Sequence, residues 1–443
     1  VQPPLYDAEM VRDPVTAQCN FTNHRTTIKN LVALDVWNLT YYSWESIDGE
    51  LKPIKISAFA AKPSLLSGTM PGVVQAHGLG GYAKEENATG PASLLNAFVI
   101  AFTGPGGGDA EKPETVSEGR PAFFGGGMRM FDTIPDVRGS WFWGHATAAL
   151  RAVTCLETRS EVDKTKIGMT GFSAGGVITL LSASLDDRIK VGVPLSGVLS
   201  WNVAVEAPNA WQHMLLTKAG LTTESERWKR LIEYLIDPRA HLAATNAKLM
   251  IINGSSDEFF PLTAHNDTYN AVANKDKMTA VAANFDHGCY KVTGVENASD
   301  IEERAKKASE GGQRFWFKHW FGTDSKYSYM PTQPQIAIQA AGNGSLILAA
   351  VDGGGSGYEV KKVSAWFSND RGRIFAGIEL EKNNGVWNKL VAASLAPETI
   401  YYVEVIYKTA APLSSDEFIL TSTPFVPEGT IPNIRSDENC WTE

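Results

Sequence analysis

Ser173, Asp257 and His287 are the residues whose types and order in this sequence can carry nucleophilic chemistry. Ser173 lies in Gly171-Phe-Ser-Ala-Gly175, between a short apolar run and an amphipathic one. That context predicts a strand turning sharply into a helix, with the serine at the tip. Glycines two residues to either side leave room for the strained backbone. The helix N-terminus behind the serine favours negative charge near its hydroxyl. A serine hydroxyl is a weak nucleophile near neutral pH, so it needs a base to take its proton and an acid to orient that base. Asp257 follows the apolar run Leu249-Met-Ile-Ile-Asn and is the expected acid, with its neighbour Glu258 as the alternative. Three of the eight histidines follow it: His265, His287 and His319. His265 falls close to the acid in a predicted helix, and His319 in an amphipathic helix beside Trp316 and Trp320. His287, in a loop next to a glycine, is the expected base.

Acyl chemistry at such a serine also needs two backbone donors for the oxyanion. The amide of Ala174 is one. The other is expected in His77-Gly-Leu-Gly-Gly81, at Leu79, with Gly80 close behind. His77 precedes the nucleophile and reads as a loop-ordering residue. Gly104-Pro-Gly-Gly-Gly-Asp109 lacks the Lys and Ser/Thr of a phosphate loop and reads as part of the site rim. Residues 125–127 and 141–143 are further candidates for the rim, with a structural role favoured for both. Cys19, Cys155, Cys289 and Cys440 show no metal-ligand spacing, so no metal is expected.

Positioning these residues takes a sheet with loops at one edge. Runs at 54–63 (ending at a proline), 73–76, 98–102, 167–170, 191–195 and 249–253, with a weaker one at 279–283, read as strands. Helical patterning at 143–156 and a closing helix over 300–320 alternate with them. That order predicts a largely parallel sheet covered on both faces. Residues 198–240 form an insertion with Trp201, Trp211, His213 and Trp228 and a helical stretch at 225–235; it reads equally as a lid or as a packed excursion. After Phe321 a linker leads to short alternating runs separated by Gly, Asn and Asp, which predict an antiparallel β-sandwich of about 110 residues. The expected division is a catalytic domain over 1–325 and an accessory sandwich over 326–443.

Composition sets outer bounds. The 443 residues carry a net charge of −9, which disfavours nucleic acid and anionic membranes as partners. No apolar run reaches the roughly 20 residues of a membrane span. Twelve tryptophans suggest that some line a binding surface. The start at Val1, without a basic and apolar leader, is expected of a processed chain. Seven Asn-x-Ser/Thr sequons (Asn20, Asn38, Asn87, Asn253, Asn266, Asn297 and Asn343) point to a secreted glycoprotein, with Asn253 the least expected to carry a glycan. Four cysteines then allow up to two disulfides in any of three pairings.

Four blocks resemble the α/β-hydrolase superfamily, most closely its acetyl xylan esterase and dienelactone hydrolase-like branches. They are His77-Gly-Leu-Gly-Gly, Val162-Asp-Lys-Thr-Lys-Ile-Gly-Met-Thr-Gly-Phe-Ser-Ala-Gly-Gly, Ala183-Ser-Leu-Asp-Asp-Arg-Ile and Asn253-Gly-Ser-Ser-Asp-Glu-Phe-Phe-Pro. The resemblance covers roughly residues 50–320. It implies an eight-stranded, mostly parallel sheet, a Ser173–Asp257–His287 triad, oxyanion donors at Leu79 and Ala174, and no cofactor. The acetyl xylan esterase pattern usually has an aromatic residue where Leu79 stands. The expected function is a secreted serine esterase acting on an acylated carbohydrate or a small aromatic ester. A serine peptidase of the prolyl-oligopeptidase or dipeptidyl-peptidase type keeps the same triad and would need an acid for the substrate amine, for which Glu85-Glu86 is the candidate. A catalytically silent binding or signalling protein is the alternative from another class.

Overall fold

Short apolar runs that end in glycine-rich turns form the middle of the sheet, and the reason is burial. In a computed structural model, residues 4–124, 127–288, 297–355, 357–410 and 416–433 are described. The chain divides into two compact units: Val1–Ser200 with Met214–Leu249 and Ala271–Lys275, and Trp201–His213 with Met250–Asn270 and Asp276–Glu443.

The first unit holds strands β1 (Asn20–Lys29), β2 (Val32–Ile47), β3 (Glu50–Pro63), β4 (Met70–Ala76), β5 (Phe98–Phe102), β6 (Val162–Phe172) and β7 (Ile189–Leu195). They lie in the order β1-β2-β3-β5-β4-β6-β7. The pairs from β1 to β5 are antiparallel, and β5-β4-β6-β7 are parallel. Every residue of β5 is buried, as a parallel strand covered on both faces requires. Helices α1 (Glu85–Leu95), α2 (Trp141–Glu157) and α3 (Ala174–Leu185) provide cover, α2 and α3 packing on one another as well as on the sheet. Ser140 caps α2 by accepting the Phe142 amide at 3.3 Å.

Strands β1 and β2 are absent from the expected set. β1 is a polar edge strand, Asn-Phe-Thr-Asn-His-Arg-Thr-Thr-Ile-Lys, with no apolar period to read. In β2 the buried residues run Leu34, Val36, then Leu39, Tyr41, so the alternation slips after Val36. A disulfide joins Cys19 to Cys155, fixing one of the open pairings, while Cys289 and Cys440 lie outside the described residues. Arg151 of α2 is fully buried and donates to the carbonyls of Met10, Val11, Asp13 and Tyr42. The N-terminal segment is thereby held to α2 twice.

The second unit contains β8 (Lys248–Gly254, from Met250 onward), α4 (Leu262–Ala271, up to Asn270) and β9 (Lys277–Ala282). Helix α5 (Ala298–Lys306) passes through one wider turn at Lys307–Gly311 into α6 (Gly312–Phe321). The C-terminal strands are β10 (Gln335–Ala341), β11 (Gly344–Ala350), β12 (Tyr358–Ser368), β13 (Ala376–Glu379), β14 (Glu381–Asn383), β15 (Val386–Val391), β16 (Ile400–Thr409) and β17 (Glu417–Thr421). They form two antiparallel sheets, β10-β11-β15-β14 and β13-β12-β16-β17. β14 is exposed and β15 mostly half-buried, and neither carries a clean alternation, so the sequence pattern misses them. Phe315 of α6 stacks on Phe418 of β17 with ring centres 4.3 Å apart, tying the closing helix to the second of these sheets.

Candidate active site

In the first unit, Ser173 stands between the end of β6 and the start of α3 with φ 59° and ψ −122°. A non-glycine residue held there stores about 1–3 kcal/mol of backbone strain. The glycines around it are required by close backbone contact. A Cβ on Gly175 would lie 2.3 Å from the Ala76 carbonyl oxygen, and one on Gly171 would lie 2.5 Å from that of Gly175. A third glycine that the sequence pattern does not single out, Gly197, has the Ser173 carbonyl oxygen 2.0 Å from where its Cβ would be. The Ser173 amide donates to Leu195 of β7 at 2.9 Å, so the serine is tied to the adjacent strand.

Ala174 is the first residue of α3, where an amide has no carbonyl partner within the helix. The loop after β4 approaches the serine at Gly78, whose Cβ would fall 3.3 Å from that of Ser173. Leu79 follows, half-buried. His77 orders this loop as expected. Its Nε2 accepts the Gly104 amide at 2.8 Å, which leaves the proton on Nδ1 to donate to the Gly78 carbonyl at 2.6 Å. Loss of water around the ring lowers its pKa to about 4, so the ring is neutral and this pattern persists through the neutral range. His145 of α2 packs 4.9 Å from it, fully buried. Burial pushes that imidazole well below its ordinary value as well.

In the second unit, Asp257 and His287 meet. Asp257 accepts His287 Nδ1–H at 2.9 Å on Oδ2 and the amides of Phe259 and Phe260 at 2.9 and 2.8 Å on Oδ1. Three donors on one buried carboxylate fix its plane, and with it the plane of the imidazole. Glu258, the alternative acid, takes a different part of the same histidine: its Oε2 accepts the His287 backbone amide at 2.8 Å. Burial first, then the Asp257 charge, raises the Glu258 carboxyl to about 7. Burial alone would lower His287, but the charge and hydrogen bond of Asp257, with Glu258 and Asp286, raise its pKa above the ordinary value. The ring lies against Phe259, centres 4.2 Å apart, and Phe259 stacks on Trp211 at 4.8 Å.

The other expected residues have other partners. His265 is fully buried in α4 with Nε2 2.9 Å from the Thr279 hydroxyl, and His319 Nδ1 donates to the Tyr327 carbonyl at 2.7 Å. Trp201 and Trp211 of the insertion are buried beside Phe259 and Phe260, and Trp228 is buried against Phe131, so none offers an open face to a ligand. Trp141 and Trp143 are likewise buried and donate their indole N–H groups to the Pro105 and Leu5 carbonyls. Glu85 is paired with Arg25 at 3.0 Å. In the glycine run at 125–127, residues 125 and 126 lie outside the described residues. Among the described residues no cluster of His, Cys, Asp and Glu could hold a metal ion.

That Glu258 accepts the His287 backbone amide was not legible in the sequence.

A model of the acetyl xylan esterase (AXE1) family matches residues 16–296. A Bacillus subtilis protein named as a hydrolase, YtaP, is 28% identical over 208 residues, covering 43% of this chain and 64% of its own length. A 4-O-methyl-glucuronoyl methylesterase of Neurospora crassa is 26% identical over 178 residues, 39% of this chain and 41% of its own. The chain thus spans less than two thirds of each of these curated relatives. Among solved structures, an acetyl xylan esterase from Paenibacillus sp. R4 superimposes with a TM-score of 0.53 at 19% identity, covering 67% of this chain and 89% of that one. That likeness concerns the fold, an α/β-hydrolase as expected.

Proposed function

This chain belongs to the acetyl xylan esterase (AXE1) family, and from that premise we propose that it is a serine carboxylic-ester hydrolase. Ser173 is the nucleophile, His287 the base and Asp257 the group that orients the base. His287 takes the hydroxyl proton as Ser173 Oγ attacks the ester carbonyl, and the amides of Ala174 and Leu79 receive the oxyanion. Collapse of the tetrahedral intermediate expels the alcohol, which leaves with the proton from His287. Water, deprotonated by the same imidazole, then releases the acid from the acyl-enzyme. The observation that carries this reading is Ser173 at φ 59° between strand and helix, walled by glycines that have no room for a side chain. Without a function, a strained serine at that position is a pure cost to folding.

The substrate is an ester of a carbohydrate. The names of the relatives divide this class into acetyl groups on a sugar hydroxyl and methyl esters of a glucuronate. The chain is secreted; the Cys19–Cys155 disulfide supports an oxidising compartment.

Fluorophosphonate labelling tests the nucleophile. Wild type is expected to label stoichiometrically and to hydrolyse p-nitrophenyl acetate, and Ser173→Ala to lose labelling and at least about 10³-fold of turnover. Acetylated xylan and methyl glucuronate, assayed side by side, decide between the two ester classes. Folded wild-type protein that neither labels nor turns over would overturn the reading in favour of a binding protein.

A further inference from the structure

The loops that bear Asp257 and His287 are not held by the catalytic fold alone. Within the second unit both are bonded to the turn that joins β12 to β13 in the C-terminal sheets. Asn284, three residues before His287, adopts φ 59° and is 2% exposed. Its Nδ2 donates to the Phe375 carbonyl at 2.8 Å, and its Oδ1 accepts the Phe375 amide at 2.8 Å. The carboxamide thus takes the place of a neighbouring strand, making both bonds a ladder would make. Its own amide donates to Ser255 Oγ at 2.8 Å, two residues before Asp257. Ser256 Oγ donates to the Arg373 carbonyl at 3.0 Å, so the acid loop is bonded to the same turn.

That turn is rigid enough to serve as a reference. Asp370 Oδ1 accepts the amides of Arg373 and Ile374 at 3.2 and 3.0 Å. Phe375 is fully buried in a cluster with Trp366, Ile400 and Tyr402 of the C-terminal sheets and Leu262, Val281 and Ala283 of the flanking elements. Arg304 adds a second tie, donating to the Ala283 carbonyl at 3.2 Å while its guanidinium lies 4.3 Å over Trp366.

We propose that the C-terminal sheets act as a positioning domain for the catalytic pair, with the Asn284–Phe375 clamp holding the histidine loop in register with the acid loop. The proposal rests on the Ser173–Asp257–His287 reading. Asn284 touches no reacting atom and acts through the loop that carries His287. Misplacing a catalytic group by about 1 Å costs on the order of 100-fold in rate, so a clamp two bonds deep is worth that order in kcat.

Asn284→Gly tests it, because glycine accepts φ 59° and only the carboxamide is lost. Rates are counted per fluorophosphonate-titrated site, which removes unfolded protein from the comparison. The expected result is kcat lowered about 10- to 100-fold, KM little changed, and the acid limb of kcat/KM moved to lower pH as Asp257 raises His287 less. Should Asn284→Gly fail to fold, Ser256→Ala, which breaks the bond to Arg373 and the 3.4 Å contact with Ser255 Oγ, should move both readouts the same way by a smaller amount. An unmoved acid limb with unchanged kcat per site overturns the clamp. Equally, a lower yield of folded protein whose titrated sites work normally reduces Asn284 to a stability role and overturns it. Failure of the underlying triad is distinguishable: wild type itself would then lack the acid limb, and His287→Ala would keep its activity.

Discussion

Two adjacent carboxylates hold one histidine in different ways: Asp257 takes the ring and Glu258 the backbone amide. Their ionisation is therefore coupled to that of the imidazole. In the proposed mechanism His287 must be neutral to act as a base, and its raised pKa would set the acid limb of kcat/KM above the ordinary imidazole value near 6.5. Glu258→Gln keeps an oxygen for the His287 amide and removes the negative charge that Glu258 carries above about pH 7. The acid limb is expected to move to lower pH, with the plateau rate retained within a few-fold; a pH–rate profile checks it, and an unmoved limb counts against the coupling. Stability follows with a defined sign. Folded Glu258 keeps its proton up to about 7, whereas the unfolded chain releases it near the ordinary value of about 4.3. Folding therefore loses stability as pH rises through that window, and the variant loses less. Urea midpoints at pH 5 and pH 8 for both proteins show the difference.

At the scale of elements, the N-terminal segment illustrates how far α2 reaches beyond the sheet. The Cys19–Cys155 bond spans 136 residues, and Arg151 one turn earlier satisfies carbonyls of the same segment. The disulfide constrains a long loop of the unfolded chain. Replacing both cysteines with serine is expected to cost about 2–5 kcal/mol, read as a lower urea midpoint, with turnover per folded molecule unaffected. An unchanged midpoint would mean that Arg151 alone suffices. The insertion after β7 has a similar lesson: Trp211 stacks on Phe259, Trp201 packs by Phe260 and Trp228 packs against Phe131, all buried, so none is a surface for substrate.

For the molecule as a whole, the secreted reading makes a prediction about glycans. Asn20, Asn297 and Asn343 are exposed. Asn253 is 1% exposed, and its Nδ2 donates to the Phe260 carbonyl at 2.7 Å. Peptide mapping of protein from its native source should find glycans on exposed sequons and none at Asn253. A glycan-free protein retained inside the cell would overturn secretion, and a glycan at Asn253 would require the Asp257 loop to open before folding completes.

Local rules made much of this protein legible from its residues. The Gly-x-Ser-x-Gly turn, the loop after Leu249–Asn253 and the alternation of apolar runs with helical ones each depend on neighbours a few positions apart, so period and turn chemistry suffice to read them. The sequence therefore marked Ser173, Asp257 and His287 as candidates and set a sheet beneath them. Where local period failed, strands were missed: β1 is too polar and β2 slips its phase. Only the tertiary structure decided which cysteines pair, that the insertion's tryptophans are buried, that Glu258 anchors the His287 backbone, and that Asn284 reaches Phe375. These contacts join residues tens to more than a hundred positions apart. Each depends on which surfaces the folded layers bring together, and no local spacing encodes that.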